Sequence, residues 1–231
     1  MLTPTKKRGQ RLKDRLCPRP RAVWDHEKES RLQDLLASAA ALFARNDFAE
    51  ITVRHICDES GLAKGTFYLY FETKEAAFLA LTRQLVGVWA TAVEAKLTEL
   101  AVQPPAARVA EILAVSFREA PQLPRLLQML HSILERKVPE TDIVTFKQAL
   151  AGNINRQHAL MARLFPLLSS AQISQFMLFC QIVLTGAWEF AHPPANVRAI
   201  LEANGLTQFL VDFEATVQTQ IEIFLNGLGV K

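Results

Sequence analysis

The chain has 231 residues, is 50% hydrophobic and 21% charged, and carries a formal net charge of +3. That is enough apolar chain for one large domain, or for a small domain joined to a larger one. Three cysteines, Cys17, Cys57 and Cys180, lie far apart without paired-ligand spacing, which argues against a disulfide framework or zinc module and for a reducing cytoplasm.

The charge is uneven. Residues 1 to 25 hold eight basic and two acidic residues, net +6, whereas residues 26 to 75 hold six and nine, net −3. The first segment contains Pro4, Pro18 and Pro20 and no apolar period, so it is expected to be a basic arm that is disordered when free. From Ser30 the pattern changes: Leu32, Leu35, Leu36, Ala39, Leu42 and Phe43 recur at helical spacing, and Ser30 with Gln33 fits a capping box. Asn46 and Asp47 tolerate a left-handed helix exit. Thr52 is expected to cap a short helix to Ser60, Gly61 to make a tight turn, Ala63 to Tyr70 to form a third helix, and Thr73 to cap a long fourth. Prolines at 104 and 105, 121 and 124, 139, 166, and 193 and 194 divide the rest into intervals of helical length. Strand alternation is absent, so the fold class is all-α.

Three units follow: the arm 1–25, a three-helix helix-turn-helix domain 26–75, and a helical bundle 76–231. The last helix is expected to carry a stripe from Leu206 through Phe213 and Val217 to Leu228. Together with the Phe176 to Trp188 helix and their symmetry mates, it would make a four-helix dimer interface. The apolar stretch from Phe176 is interrupted by Gln181 and Thr185 and is read as too short for a membrane span.

Thr52 to Glu75 carries the function. A recognition helix needs a short polar face for a major groove about 12 Å wide. Lys64, Thr66 and Tyr68 fit that face, Gly65 permits close approach to a base edge, and Phe67 and Phe71 anchor the helix from beneath. Cys57 reads as a small buried residue, and His55, two positions away, faces elsewhere, so no nucleophile and base meet there.

This stretch resembles the N-terminal signature of the TetR family of transcriptional regulators. The spacing from Thr52 through Gly61, Gly65, Tyr68, Phe71 and Lys74 is kept without a gap, and the resemblance covers roughly residues 31 to 81. It implies base reading by Arg54, Lys64 and Gly65, and phosphate binding by Thr52, Thr66, Tyr68, Tyr70 and Lys74. Asp47, Cys57 and Ala63 depart from the family's usual glycine, alanine and small hydroxyl residue.

The resulting expectation is a homodimeric, cytoplasmic, nucleoid-associated regulator of a palindromic operator, with a repressor released by a small apolar or cationic effector as the leading form. Candidate effector residues are Trp89, Phe117, Met129, His131, His158, Met161, Phe165 and Trp188, which offer aromatic, soft or titratable groups on the middle helices. The alternative is a DNA-binding protein whose helical domain recruits a protein partner without sensing a small molecule. No catalytic constellation, metal spacing or cofactor motif is visible, which disfavours an enzyme.

Overall fold

The computed structural model describes residues 21 to 230, with side chains from residue 26, so most of the arm expected over 1–25 lies outside the described residues. Helix α1 (Arg21–Arg45) begins nine residues before Ser30. Its first half is supported by pairs one turn apart: Glu27 lies 3.6 Å from Arg31, and Gln33 donates to Glu29 at 2.8 Å. Ser30 therefore sits inside the helix, and the expected capping box does not form. The exit also differs from expectation. Both the backbone and side-chain amides of Asn46 bond the Leu42 carbonyl, at 3.0 and 2.9 Å, closing the helix without a left-handed residue.

Helix α2 (Val53–Ser60) starts where Thr52 accepts a hydrogen bond from the His55 amide at 3.2 Å and ends at Gly61, whose φ of 69° suits a residue without Cβ. Helix α3 (Lys64–Phe67) is shorter than the Ala63 to Tyr70 helix expected, because the amides of Leu69 and Tyr70 turn back to carbonyls only three residues away. Thr73 caps α4 (Lys74–Thr98), its hydroxyl accepting from Ala76 at 3.0 Å. Phe43, Ile56, Phe67 and Phe78 are fully buried beneath these helices, each side chain contributing about 1.5 to 3 kcal/mol by burial. Phe43 and Phe48 meet Phe78 edge-on with centroids 5.5 and 5.0 Å apart.

The remainder comprises α5 (Ala106–Ser116), α6 (Leu123–Met129), α7 (Glu140–Leu164), α8 (Ser170–Ala191), α9 (Ala195–Ala203) and α10 (Phe213–Gly227). Helix α10 packs between α5 and α8, and α7 packs on α4 and α8. The stripe expected from Leu206 is interrupted: Gly205 turns the chain with φ 68°, and Asp212 caps α10 by accepting from Ala215 at 2.7 Å. Val217, Ile221 and Leu225 then bury the helix. No strand occurs among the described residues.

Helix α4 belongs to two cores. Residues through Leu81 pack with α1 to α3, and those from Val86 pack with α5, α8 and α10. By length and composition alone, α4 and α8 are each long and apolar enough to cross a membrane, which corrects the reading of the Phe176 stretch as too short. Half of the α4 window is buried within the chain, as a core helix requires. Helix α8 instead leaves Leu178, Ile182 and Phe190 exposed, four and then eight residues apart, on one side of the helix.

Candidate functional site

Two short helices present a polar surface because their apolar residues point inward: Ile56 and Cys57 from α2, Phe67 from α3 and Phe71 after it are buried. The opposite face carries Thr52, Arg54, Lys64, Gly65 and Tyr68, all exposed, with Thr66 half-buried beside them. Arg54 is paired with Asp58 at 3.5 Å, while its side chain remains 84% exposed and free to exchange that partner. Lys64 lies over the Tyr68 ring at 5.9 Å, so these two residues occupy the same side of α3. A Cβ added at Gly65 would meet nothing within 4 Å, and its φ is not positive. Among the described residues nothing therefore requires glycine there. Burial raises the Cys57 thiol above its ordinary pKa, with Asp58 adding to the shift, so it sits in the core as a neutral thiol.

Two of the residues expected to bind phosphate donate to internal carbonyls. Lys74 turns inward, its ammonium donating to the carbonyls of Phe48 at 2.6 Å and Ile51 at 2.7 Å and resting 3.9 Å from the centre of the Phe48 ring. Burial holds its pKa below the ordinary lysine value, with Glu75 opposing the shift. The Tyr70 hydroxyl donates to the Lys28 carbonyl at 3.0 Å and ties the end of the reader to α1.

In the helical domain, a cavity of about 290 Å³ lies among α4 to α8. Of the eight effector candidates, Trp89, His158 and Met161 line it. The other five do not. Phe117 and Phe165 are buried in the core, Phe117 stacked on Trp89 with centroids 5.0 Å apart. His131 is exposed and bonds Glu135 at 2.9 Å. Burial raises the Glu135 carboxyl, but hydrogen bonds from Lys147 and His131 outweigh it and hold the pKa below the ordinary value. Met129 and Trp188 border a second, more open cleft between α1, α6 and the end of α8. Half of the residues lining the cavity among α4 to α8 are leucine or valine, including Val86, Val93, Leu127 and Leu184, which carry no distinguishing sequence signal.

Helix α6 joins the two regions. Leu123, Leu127 and Leu130 line the cavity, while Gln122 and Arg125 reach α1. Gln122 donates to the Ala40 carbonyl at 3.1 Å. Arg125 donates to the Phe43 carbonyl at 2.8 Å, lies 4.2 Å from the centre of the Phe43 ring and sits 3.5 Å from Asp47. The Phe43 carbonyl lies in the last turn of α1 and has no later helical amide to accept from, so Arg125 satisfies it, while Gln122 adds a second bond one turn earlier. Among the described residues no cluster of histidine, cysteine or carboxylate side chains is arranged to hold a metal.

A helix-turn-helix reader joined by one continuous helix to a cavity-bearing helical domain defines a class of DNA-binding regulator. Residues 35–81 match the model for bacterial regulatory proteins of the tetR family, and residues 83–231 match the tetracyclin repressor-like C-terminal domain. The chain belongs to the TetR family of transcriptional regulators. YerO, an HTH-type transcriptional regulator of Bacillus subtilis, is 34% identical over 80 residues, 35% of this chain and 27% of that protein. EthR of Mycolicibacterium smegmatis is 36% identical over 69 residues, 30% of this chain and 32% of that protein. The chain thus spans about a third or less of the length of these curated relatives. The fold is shared with FadR of Bacillus subtilis, solved in complex with stearoyl-CoA, at TM-score 0.54 and 16% identity, covering 84% of this chain and 98% of that one.

Proposed function

We propose that the chain is a homodimeric regulator that binds a palindromic operator through α2 and α3 and is released from it by a small molecule taken up among α4 to α8. The observation that carries the DNA-binding half is the exposed Arg54, Lys64, Gly65 and Tyr68 on one braced face. One short reading helix offers few base contacts, so a second copy supplies the other half-site about one helical turn, roughly 34 to 36 Å, away. The exposed stripe Leu178, Ile182 and Phe190 on α8, with Ile223 on α10, is the surface that such a copy would cover. A cytoplasmic location on the nucleoid follows from this role.

Lys64 is assigned to base edges, and Thr52 and Tyr68 to phosphates, which separates their mutational signatures. Lys64→Ala is expected to relax preference at particular base pairs by about 1 to 3 kcal/mol, whereas Tyr68→Phe weakens all sequences alike. Selection of bound genomic fragments with each variant reads both. A Lys64→Ala profile displaced equally for every sequence would remove its assignment as a base reader.

For release, the effector acts by binding two states of the domain unequally. Because one side of α6 lines the cavity while Gln122 and Arg125 hold the end of α1, α6 is assigned the linkage alongside α4. Arg125→Ala should leave effector binding intact and reduce the effector-induced loss of operator affinity about tenfold, within the usual range of couplings. Operator anisotropy with and without effector measures it; an unchanged response places the coupling elsewhere.

A second reading, recruitment of a protein partner without an effector, is favoured by α9. That helix buries no residue, and Val197, Ile200 and, beyond it, Phe209 are exposed. Effector-independent operator release on addition of a partner protein would support it.

A further inference from the structure

The cavity among α4 to α8 has a composition that selects its occupant. Among the described residues no lysine, arginine, aspartate or glutamate lines it. Trp89, which could offer an indole N–H, already donates to the Ser116 hydroxyl at 2.8 Å, and Ser116 in turn donates to the Leu113 carbonyl at 2.6 Å. The Nε2 atom of His158 lies 3.2 Å from both the carbonyl and the hydroxyl oxygens of Ser170. Burial pushes the Cys180 thiol up to about 12, so at neutral pH it adds no charge.

The uncommitted polar groups are Gln157 on α7 and Ser174 and Gln181 on α8. Their side chains make no hydrogen bond among the described residues, and Ser174 and Gln181 are exposed. Apolar depth and a neutral amide and hydroxyl rim therefore coincide in one site. A carboxylate, phosphate or quaternary ammonium drawn into the apolar depth would lose water without gaining an opposite charge, a severe penalty for an ion, and at the rim it would meet only neutral groups. A hydroxyl, ketone or amide can exchange water for Gln157, Ser174 or Gln181 at little cost. The volume of about 290 Å³ is at the small end of ligand sites, which favours a medium-length chain or one to two rings.

We propose that the effector is a neutral, mainly apolar molecule of medium size whose single hydrogen-bonding end meets Gln157, Ser174 and Gln181 at the rim. This rests on the reading of the cavity as an effector site. It sets aside the cationic effector allowed by the sequence and an acyl-CoA, whose phosphates would find no lysine or arginine in the lining.

The test uses the full chain and four probes of one chain length: 1-decanol, decanoate, decyltrimethylammonium and decanoyl-CoA, titrated by calorimetry. Decanol is expected to bind, and each ionic probe to bind at least tenfold more weakly. Ile154→Trp, a substitution at an exposed position in the lining, is expected to abolish decanol binding without lowering the melting temperature. Gln157→Leu with Gln181→Leu should weaken decanol binding while leaving the ionic probes unchanged. An ionic probe that binds as tightly as decanol and is blocked by Ile154→Trp overturns the neutral class but keeps the effector site. Failure of all four probes, or decanol binding that Ile154→Trp leaves intact, overturns the cavity reading beneath it.

Discussion

A chain beginning at Arg21 is expected to bind its operator with a much shallower salt dependence than the full chain. Residues 1 to 20 contain Lys6, Lys7, Arg8, Arg11, Lys13, Arg15 and Arg19 against the single acidic residue Asp14. Residues 26 to 75 have a net charge of −3, and the structure shows how little of their positive charge is free. Arg31 and Arg45 pair with carboxylates, Arg54 pairs with Asp58 at an exposed site where the pair can open, and the Lys74 ammonium bonds internal carbonyls. A surface of that charge is poor at attracting a polyanion, and the cations ahead of α1 are the ones able to compensate. Each phosphate neutralised adds about 0.9 to the magnitude of the slope of log affinity against log salt, so removing the segment should flatten that slope by about 3 to 6 units. Base preference should change little, with any change confined to positions flanking the proposed palindrome, which are the ones within reach of a segment ahead of α1. Operator affinities at several salt concentrations decide the matter; equal slopes would mean that residues 1 to 20 do not touch DNA. The cut falls at Arg21 because α1 starts there, so the truncation leaves the helix whole.

The features legible in the sequence were those with short-range causes. Thr52, Gly61 and Thr73 act on atoms within three residues, and all three mark their turns as expected. Phe67 and Phe71 stand one turn apart and reach the core as their spacing requires. What escaped depends on partners distant in the chain. Helix α1 runs through Ser30 with pairs one turn apart on either side of it, Glu27 with Arg31 and Gln33 with Glu29, instead of starting from a cap at Ser30. The cavity wall drew on five helices, and its aliphatic members look like any core leucine in sequence. Trp89, His158 and Met161 were found because they carry unusual groups, whereas Phe117 and Phe165 carry similar groups and fill the core instead. Gln122 and Arg125 are ordinary polar residues on a short helix; only their 82-residue separation from the carbonyls they hold gives them a role.

Lys74 is the residue whose expected role changes most, and Lys74→Ala should act first on stability. Its ammonium closes the loop between α1 and α2: it satisfies the Ile51 carbonyl, shares the Phe48 carbonyl with the Ile51 amide, and lies against the Phe48 ring. Hydrogen bonds from a charged donor contribute about 1.5 to 3 kcal/mol each, and a partly buried carbonyl left without one adds a penalty. Because the two bonds share one ammonium they are not additive, so the variant is expected to lose about 2 to 4 kcal/mol of unfolding free energy. Lys74→Met, which keeps the apolar stem over Phe48, should lose nearly as much, showing that the charge and not the packing is responsible. Operator affinity should then fall uniformly across sequences, because a loosened Phe48 to Ile51 loop no longer fixes α2 and Thr52 against the backbone. Urea unfolding of the full chain, read beside operator binding at a temperature where the variant is folded, separates this from direct phosphate contact. If the unfolding midpoint is unchanged while operator affinity drops and the salt slope falls by about 0.9 per site, Lys74 binds phosphate and its inward position does not persist on DNA.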